Sequence, residues 1–122
     1  MINQLAKQIH ENAKSKGFYE GEKNIGEMLC LIHSEVSEAL ECDRKNKHCA
    51  ESDAFLAISI PNTEHFKIAF ANDVKDTFEA ELADIMIRVM DLAAYKKINL
   101  EMFIKVVMRN NSLREYKHGK KY

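Results

Sequence analysis

The chain has 122 residues, 46% of them hydrophobic and 30% charged, with a formal net charge of −1. That composition fits one globular domain spanning residues 1–122, and it excludes a disordered chain and a broad basic or acidic surface for nucleic acid or membrane. No stretch resembles a signal peptide or reaches the length of an apolar span, and the three cysteines, Cys30, Cys42 and Cys49, show no C-x-x-C spacing, so a cytoplasmic chain with reduced thiols is expected. One proline and four glycines leave little material for loops and predict an all-α fold.

Ile2, Leu5, Ala6, Ile9 and Ala13 recur at helical spacing and predict a first helix from Ile2 to about Ser15, with Gly17 as its stop. His10 falls near its apolar stripe, where a packing or surface role is more usual than a catalytic one. Residues 17–23 read as a loop carrying Phe18 and Tyr19. These rings could stack on a nucleobase, or cap the core between the first two helices; core capping is the first expectation, because aromatics dominate burial.

Asn24 with Glu27 makes a capping box that opens a second helix running to about Lys45. Ile25, Met28, Leu29, Ile32, Val36, Ala39 and Leu40 form its apolar stripe. Glu35 and Glu38, three residues apart, lie along the edge of that stripe, whereas Glu27, Glu41 and Asp43 fit a solvated face.

Asn46–Asn72 opens as polar NKHCAESD. Leu56, Ile58 and Ile60 then alternate, Pro61-Asn62-Thr63 reads as a turn, and Phe66, Ile68 and Phe70 alternate again. Period two on both sides of a turn predicts a short hairpin lying against the helices; the alternative is a third helix that starts early, at Glu64. Cys42, His48 and Cys49 offer three soft ligands at irregular spacing, short of a tetrahedral zinc set.

The third helix is expected from about Asp73 to Lys97. Phe78, Leu82, Ile85, Val89 and Leu92 fall on one side, and Ala80, Ala83, Ile87, Met90 and Ala94 on another. Between them runs a stripe of Glu81, Asp84, Arg88 and Asp91. A helix apolar on two sides is normally buried, and a buried carboxylate needs a partner or a metal. Arg88, four residues after Asp84, can neutralise one acid; the charge that remains invites a cation. Covering both apolar faces also asks for more surface than three partner helices supply, which predicts a homodimer.

Asn99 caps a fourth helix with Leu100, Phe103, Ile104, Val107 and Met108 on its buried stripe, ending near Asn111. The tail gathers Arg114, Lys117, His118, Lys120 and Lys121. Such a run is usually a solvated terminus, but it can also supply cations to a phosphate-bearing substrate.

Two acid pairs on two packed helices can surround one or two hard cations with carboxylate oxygens, and Mg²⁺ suits such a site. The pairs read Glu35-Val-Ser-Glu38 and Glu81-Leu-Ala-Asp84. With KGFYEGEKNIGEMLCLIHSEVSEALE around the first, DTFEAELADIMIRVMDLA around the second and NNSLREYKHGKKY at the end, the chain resembles the MazG-like all-α nucleotide pyrophosphohydrolases over most of its length. The resemblance implies a four-helix bundle that hydrolyses a nucleoside or deoxynucleoside triphosphate to the monophosphate and pyrophosphate. It implies Mg²⁺, with Mn²⁺ able to replace it, and assembly as a homodimer or a tetramer of dimers.

On that resemblance Glu35, Glu38, Glu81 and Asp84 are the metal ligands; any of the four could activate water, and Glu38 is the one chosen here. Asn111 and Arg114 match the N-x-x-R near the family's C-terminus and would contact phosphate or sugar, with Lys117, Lys120 and Lys121 as further candidates. The spacer between Glu38 and Glu81 is longer than usual for the family, which leaves substrate choice more open than the chemistry. Two other classes compete. A carboxylate di-iron bundle needs paired E-x-x-H motifs in its core, and the one present, Glu115–His118, lies in the tail. A non-catalytic helical dimer that binds a nucleotide or a protein would have no chemical reason to keep four acids at an apolar boundary.

Overall fold

The scarcity of proline and glycine is reflected throughout the computed structural model, which describes residues 1–122 and holds six α-helices and no strand. These are α1 (Ile2–Ser15), α2 (Ile25–Arg44), α3 (Glu51–Ile58), α4 (Thr63–Ala69), α5 (Phe78–Tyr95) and α6 (Leu100–Ser112). A π-helical turn, Phe70–Val74, follows α4, and a 3-10 turn, Tyr116–Gly119, follows α6. No helix is long and apolar enough to cross a membrane.

Three helices begin at an asparagine that satisfies an otherwise unpaired amide. The Asn24 side chain accepts from the Glu27 N–H at 3.0 Å, that of Asn62 from His65 at 2.9 Å, and that of Asn99 from Met102 at 3.1 Å.

The chain divides into two compact units. In the first, Met1–Glu22 with Met90–Tyr122, α1 packs on α6. Their starts are laced together: the amino group of Met1 and the amide of Ile2 both donate to Glu101 Oε1 at 2.8 Å, and Glu101 N–H donates to Asn3 Oδ1 at 3.1 Å. In the second, Lys23–Val89, α3, α4 and the π-helical turn pack on one another.

The expected hairpin over Asn46–Asn72 is not formed; the segment folds as α3 and α4. Asn62 is a helix cap rather than the middle of a turn: its side chain accepts from His65 N–H, and helix wins over the apparent alternation of Leu56, Ile58 and Ile60. In α3 the buried position is the small Ala57, while Phe55 is 68% exposed and Ile58 78% exposed. The early-start alternative also fails, because α4 and α5 are separate helices. Asp76 between them sits at φ 57°, in the left-handed region. Thr77 Oγ1 then accepts from Ala80 N–H at 3.4 Å, and Phe78 N–H donates to Lys47 C=O at 2.9 Å. Hence α5 starts at Phe78, not near Asp73.

The buried apolar side chains are small: Ala6, Ala39, Cys42, Cys49, Ala57 and Ala93, with Met90 the one large member. Large side chains are left outside, among them Leu82, Met86 and Ile87 on α5 and Phe103, Val106, Val107 and Met108 on α6. The chain exposes 9759 Å².

Candidate metal centre

α2 turns Glu35, Ala39 and Cys42 inward, at i, i+4 and i+7, so its buried face carries an acid at its centre. α5 contributes Glu81 from its first turn. One carboxylate oxygen from each of Glu35, Glu38 and Glu81 lies within 4.8 Å of the other two. Glu35 is 8% exposed and Glu81 6%, whereas Glu38 is exposed. Arg88 Nε donates to Glu35 Oε1. Glu81 Oε2 is fully buried and has no hydrogen-bond partner.

That lone oxygen distinguishes this site from an ordinary acidic patch, because a buried acceptor without a donor carries its full desolvation penalty. The charges respond to the crowding. Burial first, and then the carboxylates of Glu38, Asp84 and Glu35, push the Glu81 pKa up to about 7. The Glu35 carboxylate beside it raises Glu38. Asp84 is raised by loss of solvent and then by Glu35. Arg88 is the one cation paired with the cluster. A hard divalent cation, which takes carboxylate oxygens and tolerates a partly hydrated shell, fits the donor set.

Two placements differ from what spacing along α5 suggests. Asp84 is exposed and lies outside the three-carboxylate cluster. With Glu81 pointing inward, a step of three residues turns the helix about 60° short of a full circle, which carries Asp84 towards solvent. Arg88 pairs with Glu35 on α2 rather than with Asp84 one turn back on its own helix.

The soft-ligand alternative does not assemble. Cys42 Sγ donates to Asp76 C=O and Cys49 Sγ to Ala50 C=O, each at 3.4 Å. His48 Nδ1 lies 3.0 Å from Glu79 Oε1. Burial pushes both thiols up, away from the thiolate that zinc requires. No disulfide forms among the cysteines.

The remaining site candidates belong to the other unit. Asn111 lies in the last turn of α6, and Arg114, Lys117, Lys120 and Lys121 follow it; all five are exposed. Glu115 and His118 are exposed as well, so no di-iron core forms from them.

One constellation in that unit was not expected. Asp91 Oδ1 lies 2.8 Å from His10 Nδ1, and Asp91 Oδ2 accepts from the Tyr19 hydroxyl at 2.6 Å. The Tyr19 ring meets those of His10 and Tyr95 at centroid distances of 4.6 and 5.1 Å. Asp91, read in sequence as the end of the acidic stripe, is therefore spoken for by α1 and the loop after it. The only signal was His10 on an otherwise apolar stripe. A cavity of about 250 Å³, lined in part by Asn3, Lys7, His10 and Ile98, adjoins it. Tyr19 is half-buried against His10 and Tyr95, whereas Phe18 is 64% exposed and does not cap the core.

Comparison of the chain with family models, with curated proteins and with solved structures returns no match.

Proposed function

We propose that this protein is a Mg²⁺-dependent hydrolase that cleaves a nucleoside or deoxynucleoside triphosphate to the monophosphate and pyrophosphate, with Mn²⁺ able to replace Mg²⁺. What carries the reading is the unpartnered, buried Oε2 of Glu81 on a carboxyl group that meets those of Glu35 and Glu38. In this proposal α1, α2, α5 and α6 are the counterparts of a MazG-like four-helix bundle, with α3 and α4 as an insertion, and the setting is cytoplasmic.

A divalent ion at this site would supply Lewis acidity and the positive charge that offsets a triphosphate. Glu35 and Glu81 would hold it: both are buried, so their oxygens are fixed before it arrives and little reorganisation is needed. Glu38 reaches the cluster from an exposed position, which suits the carboxylate that orients a water and takes its proton. Asp84, three residues along α5, would be the fourth ligand. Asn111 and Arg114, then Lys117, Lys120 and Lys121, would contact phosphate or sugar.

The test is a pyrophosphate-release screen of common and damaged nucleoside triphosphates with Mg²⁺ or Mn²⁺, beside Glu38→Ala. Metal-dependent release that favours one base and vanishes in the variant is expected. No release from a folded protein would move the assignment to a non-catalytic helical dimer that binds a nucleotide or a protein.

The same proposal includes a homodimer, or a tetramer of dimers. Leu82 and Met86 on α5, Phe103 and Val107 on α6 and Phe55 and Ile58 on α3 are the apolar side chains to be covered. Light scattering on the eluting protein is expected to give two or four times 14.1 kDa; a monomer at micromolar concentration would overturn this part.

A further inference from the structure

Four carboxylates, Glu35, Glu38, Glu81 and Asp84, act on one another at this site, and the structure gives them one ion-pair partner, Arg88. The pairing is between helices: Nε on α5 reaches across to Oε1 of Glu35 on α2. The Arg88 side chain is 41% exposed, so its guanidinium sits at the mouth of the cluster, while the Glu35 side chain it holds is 10% exposed. The most buried acid, Glu81, receives no donor from it.

We propose that Arg88 is the resident counter-cation of the carboxylate cluster, which joins α2 to α5 in the absence of metal and opposes the divalent ion for Glu35. This rests on the metal centre proposed above. The physical basis is the sign of the charges. A guanidinium cannot be deprotonated, so it repels a second cation brought to the carboxylate it already serves. A divalent charge about 6 Å from a monovalent one loses about tenfold in affinity even at the dielectric of water. Without Arg88, the acids attract the metal more strongly but repel one another more strongly when it is absent.

The test is Mn²⁺ binding, followed by calorimetry and by the loss of the free-ion paramagnetic signal, without nucleotide, on the wild-type chain, Arg88→Gln and Arg88→Lys. Arg88→Gln is expected to bind Mn²⁺ about tenfold more tightly than wild type, and to melt at a lower temperature when metal-free. Arg88→Lys, which restores the charge, is expected to bind close to wild type. Equal or weaker binding by Arg88→Gln would overturn the proposal, because Arg88 would then be a spectator or would orient Glu35 for the metal. Binding by Arg88→Lys as tight as by Arg88→Gln would overturn it too, since charge would not be the cause. No Mn²⁺ binding by the wild-type chain would remove the metal centre itself, a different failure from either. A measurement on the wild-type chain stands apart from the variants: the Nε–H resonance of Arg88 is expected to exchange with water faster once Mg²⁺ is added, and unchanged exchange at saturating Mg²⁺ would count against displacement.

Discussion

Glu81→Gln is expected to abolish divalent-ion binding and pyrophosphate release while making the metal-free protein more stable. The two effects have one origin. Glu81 is 6% exposed, its Oε2 has no donor, and three other acids act on it. In the absence of metal, ionising this carboxyl is unfavourable, and its pKa rises from an ordinary 4.5 to about 7. Above pH 7 the ionised acid therefore destabilises the fold by up to roughly 3 kcal/mol relative to a group that titrates normally. Gln keeps the shape and removes the charge. It still leaves a polar amide to satisfy, so the net gain should be about 1–3 kcal/mol, read as a rise of several degrees in Tm. On function the sign reverses. Loss of a residue that merely supports a metal ligand already lowers affinity or activity by about 10–100-fold, so loss of the ligand should lower release by more than ~100-fold. Thermal melts without metal and release assays with it check the two halves. A variant less stable than wild type, or one that keeps its activity, would show that Glu81 is a structural acid and not a ligand.

Such opposed effects mark the place where the sequence was most informative. Glu35, Glu38 and Glu81 were legible because helical periodicity puts each beside an apolar stripe, and an acid there has few structural uses. Asp84 was harder to place. Its spacing from Glu81 implies a shared face, but a difference of about 60° around α5 decides between interior and solvent, and which side of the helix faces inward is set by packing. The partner of Arg88 is hidden from sequence spacing for a related reason. Sequence spacing offers Asp84 as its neighbour on α5, whereas the partner it takes, Glu35, is 53 positions away, and only the packing of α2 on α5 brings them together. The pairing of Asp91 with His10 and Tyr19 is long-range in the same way. In the segment after α2, alternation of Leu56, Ile58 and Ile60 suggested strands because apolar side chains were assumed to share one buried face. They do not: α3 buries Ala57 and leaves Phe55, Leu56 and Ile58 exposed. A periodicity argument fails wherever a helix shows its large apolar residues outward, as it would if another chain were to cover them.

Between about pH 5 and pH 8 the metal-free protein should lose stability as pH rises, while the Mg²⁺-saturated protein should hold its stability. Without metal, the folded state holds a proton on Glu81 up to about pH 7, whereas the unfolded chain releases it near its ordinary value. Over that interval the folded state binds more protons than the unfolded state, so stability falls as pH rises. Glu38 and Asp84, both raised, act with the same sign. Glu79 is held low by the Cys49 N–H, and Glu101 by the amino group of Met1. Their stabilising contributions are present above the ordinary carboxylate range and are lost only below it, so they do not enter this window. When Mg²⁺ is in excess, binding requires the ionised carboxylates, so a proton and the metal exclude each other at Glu81. Affinity then grows as pH rises towards 7, and the stabilisation by bound metal grows with it. Melting temperatures measured across this range, with Mg²⁺ and with a chelator, are expected to diverge as the pH is raised, and in Glu81→Gln the divergence should collapse. Parallel curves for the wild-type chain would mean that the three carboxylates meet without forming a cation site, and the hydrolase reading would lose its main support.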